Sequence, residues 1–278
     1  MDSKVRLRLK FWGVRGSTAT PLADRLAFGG NTSCVEVRAP GDDTVLVIDA
    51  GTGVRNLAES LEREFPCQPL HVNFLMTHFH WDHIQGLPFF SPLYDSRHSL
   101  AFCSERTETE IREMLEGQMS HPYFPVPFEM VAAQRTFIDS REGEIGTARM
   151  RVRSFPLSHP QGACGFRIEA EGAVAVVVFD HEHGNAGIDA AIRSQAQNAD
   201  LLIYDAQYTP EEYERKRGWG HSTWAEATRL ARDAAVGKLI LFHHDPDRDD
   251  DSLRAIVAEA QKSFAATEGA AEGMTISL

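Results

Sequence analysis

The segment Thr77-His78-Phe79-His80-Trp81-Asp82-His83 places three histidines and an aspartate within six positions, directly after the apolar run Val72-Asn73-Phe74-Leu75-Met76. Neutral imidazoles and a carboxylate are the ligands that borderline divalent cations, zinc above all, bind best. His78 and His80 are two apart, so in an extended backbone both point the same way. Asp82 and His83 follow where the chain can turn into a short helix ahead of Gly86 and Pro88. Four such groups crowd a single ion once distant ligands are added. Two cations sharing the cluster is the simpler arrangement.

The same pattern, a short apolar run followed by a ligand-type residue, recurs along the chain. Val45–Ile48 precedes Asp49, Phe155–Ser158 leads to His159, and Val174–Phe179 ends at Asp180. Leu201–Tyr204 ends at Asp205, and Leu239–Phe242 at His243. One strand-end His or Asp is ordinarily a turn residue; a set this large calls for a shared site. Continuous apolar runs of this length fit strands buried on both faces. Helical patterns over 54–64, 223–235 and 251–266 separate some of them, the second opening on Thr223 and Glu226 at capping-box spacing. Strands covered by helices on both sides, with functional groups at strand ends, predict a layered α/β domain.

The 278 residues carry a formal net charge of −12, which works against a broad phosphate-backbone interface and leaves room for a small anionic substrate. No run of eighteen apolar residues is present, so no membrane span is expected. The N-terminus reads as a first strand rather than a signal peptide. Cys34, Cys67, Cys103 and Cys164 form no CxxC pair and read as free thiols of a cytoplasmic protein.

THFHWDH resembles the HxHxDH signature of the metallo-β-lactamase-fold hydrolases, and Ile48-Asp49-Ala50-Gly51 resembles their first motif, whose Asp is mainly structural. Leu157-Ser158-His159, Phe179-Asp180 and Leu239–His243 are similar to the later motifs. The resemblance implies a four-layer αββα sandwich formed by one domain over 1–278. It implies two zinc ions, with manganese or iron fitting the same ligands. His78, His80 and His159 would hold the first ion, and Asp82, His83 and His243 the second. Asp180 would bridge them, with Asp205 as the fallback because Phe179-Asp180-His181-Glu182-His183 departs from the family's GDT, and His244 is a rival to His243.

Within that superfamily, Gly220-His221-Ser222-Thr223 resembles the HST motif of ribonuclease Z, and Ile203-Tyr204-Asp205-Ala206 its HEA stretch with Asp for Glu. FWGVRGST with FGGNTSCVEV looks like a bacterial branch that includes cyclic nucleotide phosphodiesterases of the anti-Pycsar type. The implied catalytic groups are Asp82, His221 as general acid, and Asp205 as its support. The implied reaction is attack of hydroxide, generated at the metals, on a cyclic or other small nucleotide phosphodiester. A homodimer is also implied.

Ribonuclease Z carries a tRNA-holding arm between its third-motif histidine and bridging aspartate. Here twenty residues separate His159 from Asp180, too few for that arm. Processing of tRNA 3′ ends is thus the second reading. A lactone or thioester hydrolase and a metal-dependent nucleotide sensor stand behind it. An insertion over 104–130, with an amphipathic helix at Glu108–Gln118 and the loop His121–Phe128, offers a lid whose Tyr123 and Phe124 would bind substrate.

Overall fold

The computed structural model describes residues 5–142 and 145–278. The expected first strand begins at Arg8; residues 1–4 lie outside the described residues. The strands, in chain order, are β1 (Arg8–Gly13), β2 (Cys34–Arg38), β3 (Thr44–Ile48), β4 (His71–Leu75), β5 (Ser99–Ser104) and β6 (Gln134–Asp139). There follow β7 (Ile145–Gly146), β8 (Arg151–Leu157), β9 (Ala163–Ala170), β10 (Ala173–Val178), β11 (Leu201–Asp205), β12 (Lys238–Phe242), β13 (Thr267–Gly269) and β14 (Thr275–Ser277). They form two seven-stranded sheets, ordered β14-β1-β2-β3-β4-β5-β6 and β13-β12-β11-β10-β9-β8-β7. Each has a parallel half, β3 to β6 and β10 to β13, with antiparallel strands completing it.

The continuous apolar runs have a simple origin. In β3, Val45 and Val47 face helices, while Leu46 and Ile48 face the opposite sheet. In β10, Val176 and Val178 face helices, and Ala175 and Val177 the other sheet; β12 divides Leu239 and Leu241 from Ile240 and Phe242 in the same way. Side chains alternate, but both faces are dry, so no polar residue marks the alternation.

Helices α1 (Val54–Glu64), α2 (Trp81–Ile84) and α3 (Glu108–Gln118) belong to the first half of the chain. The second half holds α4 (Ala186–Ala196), α5 (Pro210–Lys216), α6 (Trp224–Asp233) and α7 (Asp250–Ser263). α1 and α3 bury Leu57, Leu61, Ile111 and Leu115 on the first sheet. α4, α6 and α7 bury Ile192, Ala196, Leu230 and Ala260 on the second. The result is the four-layer αββα sandwich. At the start of α6, Thr223 Oγ1 accepts the Glu226 N–H, but the Glu226 carboxylate pairs with Arg229, so only half of the expected capping box forms.

The 104–130 segment divides in two. Its helix, α3, is the crossover between the parallel strands β5 and β6 and opens on a full capping box of Thr107 and Glu110. The loop after it carries Tyr123, 77 % exposed, and Phe124, half-buried and edge-on to Phe89 with ring centroids 5.9 Å apart. Beneath them Met119 and Phe128 join the core. Among the described residues, no helix is long and apolar enough to cross a membrane.

Candidate metal centre

The carboxyl ends of β3, β4, β10, β11 and β12 converge on one edge of the sandwich, and each delivers polar side chains there. Asp49, Asp180 and His243 each leave a strand with positive φ, at 58°, 44° and 59°. Such backbone is unfavourable for residues other than glycine and persists where surrounding contacts fix it. The contacts are present. Gly16 approaches His243 so closely that a Cβ there would lie 2.3 Å from the ring. His83 O accepts the Ala50 N–H at 2.7 Å, locking α2 onto the turn after β3. His80, still extended, is the N-cap of α2, so one helical turn swings Asp82 and His83 back toward the strand ends.

The expected residues fall into two adjacent groups. One contains His78, His80 and His159; the other, fully buried, contains Asp82, His83, Asp180 and His243. His80 Nδ1 lies 3.1 Å from His159 Nε2. In the second group, Asp82 Oδ2 is 3.2 Å from both His83 Nε2 and His243 Nε2. Asp180 faces both groups. Its Oδ1 lies 3.1 Å from His83 Nε2 and 3.2 Å from His243 Nε2, and its Oδ2 lies 3.7 Å from His78 Nε2 and from His159 Nε2.

His78 Nε2, His83 Nε2 and Asp180 Oδ1 are buried and lack an aligned hydrogen bond, although His83 Nε2 and Asp180 Oδ1 lie 3.1 Å apart. Orphaned polar atoms in a protein interior are costly unless something compensates them. Convergent imidazole nitrogens and carboxylate oxygens fit divalent cations.

The outward-facing nitrogens are all taken, which fixes the nitrogen each ring turns inward. His83 Nδ1 lies 2.7 Å from Asp49 Oδ2, and Asp49 also accepts the Thr77 N–H and hydroxyl. His159 Nδ1 donates to Gly220 O at 2.8 Å. His243 Nδ1 meets Gln207 Oε1 at 2.9 Å, His80 Nε2 meets Gln161 Oε1 at 2.9 Å, and His78 Nδ1 meets Thr77 Oγ1 at 3.1 Å. Asp82 Oδ2 accepts the Ser17 N–H at 2.8 Å.

The electrostatics are those of a site shaped for positive charge. Burial disfavours ionised Asp82 and Asp180, yet neighbouring His83 and His243 hold both carboxyls far below the usual range. Burial also opposes charge on His83, but Asp180, Asp82 and Asp49 together raise it well above an ordinary histidine. His78 and His159 are pushed down, by burial first, and so present neutral rings.

His221 stands between the two groups, its ring 5.3 Å from that of His159 and stacked 4.8 Å from that of His243. Its Nδ1 lies 2.9 Å from Asp205 Oδ2. Burial works against its charge, but Asp205, with Asp180 and Asp82 behind it, lifts its pKa to about 9. Asp205 Oδ2 also accepts the His181 N–H, and its Oδ1 the Gln207 N–H. Asp205 is thus committed to His221 and the local backbone, whereas Asp180 is the carboxylate with an oxygen toward each group. His244 turns away from the site. It donates from Nε2 to Ala270 O at 2.9 Å, and burial lowers its pKa to about 3.

The sequence model of the beta-lactamase superfamily domain matches residues 44–244. The chain belongs to that superfamily, with the metallo-β-lactamase fold. It is similar to ribonuclease Z of Natronomonas pharaonis, 27 % identical over 280 aligned residues that span 85 % of this chain and 86 % of that protein. Among solved structures, the metallo-beta-lactamase fold protein YhfI of Bacillus subtilis superposes with a TM-score of 0.73 at 19 % identity, covering 99 % of this chain and 100 % of the other. A diphosphatase from the PhnP family superposes with a TM-score of 0.68 at 18 % identity, covering 98 % of each chain.

The HEH stretch that departs from the family motif supplies brackets for the site. His181 Nδ1 accepts the Ser158 N–H, and His183 Nδ1 meets Ser222 Oγ at 2.8 Å. Glu182 accepts the N–H groups of Gly218 and Gly220. Each thereby braces a neighbour of His159 or His221. Gln161, Gln207 and Ser17 were not legible as site residues, because an amide or loop N–H carries no spacing signal of its own.

Proposed function

We propose that this hydrolase cleaves small nucleotide phosphodiesters, cyclic nucleotides foremost, at a centre of two zinc ions. The observation that carries the reading is Asp180, whose two oxygens face separate ligand groups while the His221–Asp205 pair stands between them. His78, His80 and His159 would hold one ion, Asp82, His83 and His243 the other, and Asp180 both. Bound there, two divalent cations neutralise a phosphodiester anion and supply activated water at neutral pH.

The chain's own groups do the rest. Asp82 and Asp180 are the carboxylates of the two ligand groups, so two dications keep net positive charge toward the substrate. Asp205 holds the Nδ1–H of His221, which leaves Nε2 to hand a proton to the departing oxygen. Cations held nearby would oppose the protonated form of His221 and so make it a readier proton donor.

The path between His159 and Asp180 favours a small substrate. It consists of β9 and β10, joined at Glu171 and Gly172, with no segment left to form an arm. The net charge of −12 points the same way. A second reading, cleavage of precursor tRNA, is favoured by the likeness to ribonuclease Z over most of both chains.

The test is turnover by zinc-loaded protein of bis-p-nitrophenyl phosphate, of 2′,3′- and 3′,5′-cyclic nucleotides, and of a lactone and a thioester. Diester cleavage that disappears in Asp180→Ala supports the proposal. Acyl hydrolysis alone, or full metal content with no turnover, refutes it in favour of an acyl hydrolase or a sensor.

A further inference from the structure

Trp219 is 63 % exposed. A single exposed aromatic is ordinary, but the backbone that carries this one is not. Gly218 and Gly220, on either side, have φ of 85° and 89°, a region that favours glycine. Their N–H groups donate to the two oxygens of one carboxylate, Gly218 to Glu182 Oε1 at 2.7 Å and Gly220 to Glu182 Oε2 at 2.8 Å. The Trp219 N–H donates to Lys216 O at 3.2 Å. Three consecutive peptide N–H groups are therefore fixed, two of them by charge-assisted bonds.

The grip also ties the backbone of Trp219 to the site. Glu182 lies two residues beyond Asp180, and its own N–H donates to Ser158 O at 2.7 Å, beside His159. Tyr213 Oη donates to its Oε1 at 3.2 Å. Gly220 O receives His159 Nδ1, and a Cβ on Gly220 would fall 2.2 Å from that nitrogen. Trp219 thus stands one residue from contact with a candidate metal ligand and two from His221. Lys216 and Arg217 precede it, with Lys216 paired to Asp245 at 3.2 Å and Arg217 to Glu214 at 2.8 Å.

We infer that the Glu182-clasped Gly218-Trp219-Gly220 tip is a stacking platform for the nucleobase of a nucleotide whose phosphate lies at the metal centre. The inference rests on the phosphodiester reading above and adds to it the recognition of the base. A rigid indole stacks on any base without reading hydrogen-bond edges, so the platform accepts a class of nucleotides. It gives nothing to a sugar phosphate that lacks a base.

The probes are adenosine 5′-monophosphate and ribose 5-phosphate, titrated into zinc-loaded protein by calorimetry, with tryptophan fluorescence alongside. The phosphate is common to both probes, so the ratio of affinities isolates the base. Trp219→Leu should lower the ratio by roughly 5- to 150-fold, the equivalent of one stacked base. Trp219→Phe should lower it much less, and Glu182→Gln, which loosens the clasp, should fall between. The part of the nucleotide-induced fluorescence quenching that belongs to Trp219 should be lost in Trp219→Leu, while the exposed Trp81 beside His80 and Asp82 keeps its own share. An unchanged ratio in that variant, or no preference for the nucleotide in the parent protein, overturns the inference. If diesters are cleaved and the ratio is unchanged, the platform fails and the diesterase stands. If the ratio falls and no diester is cleaved, the platform stands and the diesterase reading fails.

Discussion

Asp205 Oδ2 lies 2.9 Å from His221 Nδ1, and both side chains are buried beside the two ligand groups. A carboxylate so placed fixes the tautomer, leaving Nε2 as the nitrogen that can give a proton. The expected signature is leaving-group dependence. His221→Ala should cut kcat by about 10²–10⁴-fold for a diester with an alkoxide leaving group. It should have little effect on bis-p-nitrophenyl phosphate, whose leaving group departs without a proton. Asp205→Asn should show the same dependence to a smaller degree. Equal losses on both substrates would make His221 a structural group.

Asp49 touches His83 of the second ligand group directly and reaches His78 of the first only through the Thr77 hydroxyl. Asp49→Asn can still accept the Thr77 N–H but holds His83 poorly. Disturbing such an outer partner weakens metal affinity by about 10–100-fold. Titration with a chromophoric chelator should show one equivalent weakened more than the other, because His83 loses a direct partner and His78 keeps the Thr77 hydroxyl. A loss shared evenly between both equivalents would contradict the two-group geometry.

Arg15 is fully buried, and its side chain donates hydrogen bonds to four backbone carbonyls: Gly29 O at 2.8 Å, Asp245 O at 3.2 Å, Arg248 O at 2.7 Å and Arg25 O at 3.3 Å. It joins the loop after β1 to the loop after β12, next to Gly16 against His243. Arg15→Met would orphan these carbonyls, at ~1–3 kcal/mol for each one left unsatisfied. A loss of about 3 kcal/mol would lower the melting temperature by roughly 6–12 °C. Arg15→Lys should not restore it, since one ammonium cannot span that fork of acceptors. A melting temperature within 2 °C of the parent, to take a threshold of about 1 kcal/mol, would show that water replaces the guanidinium.

Much of this was legible in the sequence because strand ends announce themselves. Apolar runs at β3, β4, β8, β10 and β12 stop where Asp49, His78, His159, Asp180 and His243 begin, and the helices at 54–64 and 108–118 fall where periodicity puts them. The order of strands was not legible, since runs buried on both faces carry no mark of which sheet they join. Nor were the partners of the outer ring nitrogens: Gln161 is 81 residues from His80, and Gln207 is 36 from His243. The HEH after Asp180 obscured the bridging position because it departs from the family's GDT; its side chains brace the neighbouring loops. The tryptophan at 219 had a local sign, glycines on both sides just before His221, whose meaning appears only with the Glu182 clasp.

The most direct test of the small-substrate reading is a side-by-side assay of zinc-loaded protein on 3′,5′- and 2′,3′-cyclic nucleotides and on a precursor tRNA, with products separated by chromatography. The account predicts that cyclic nucleotides are opened to monophosphates while the precursor tRNA stays intact. Cleavage of the tRNA with the cyclic nucleotides untouched would contradict it.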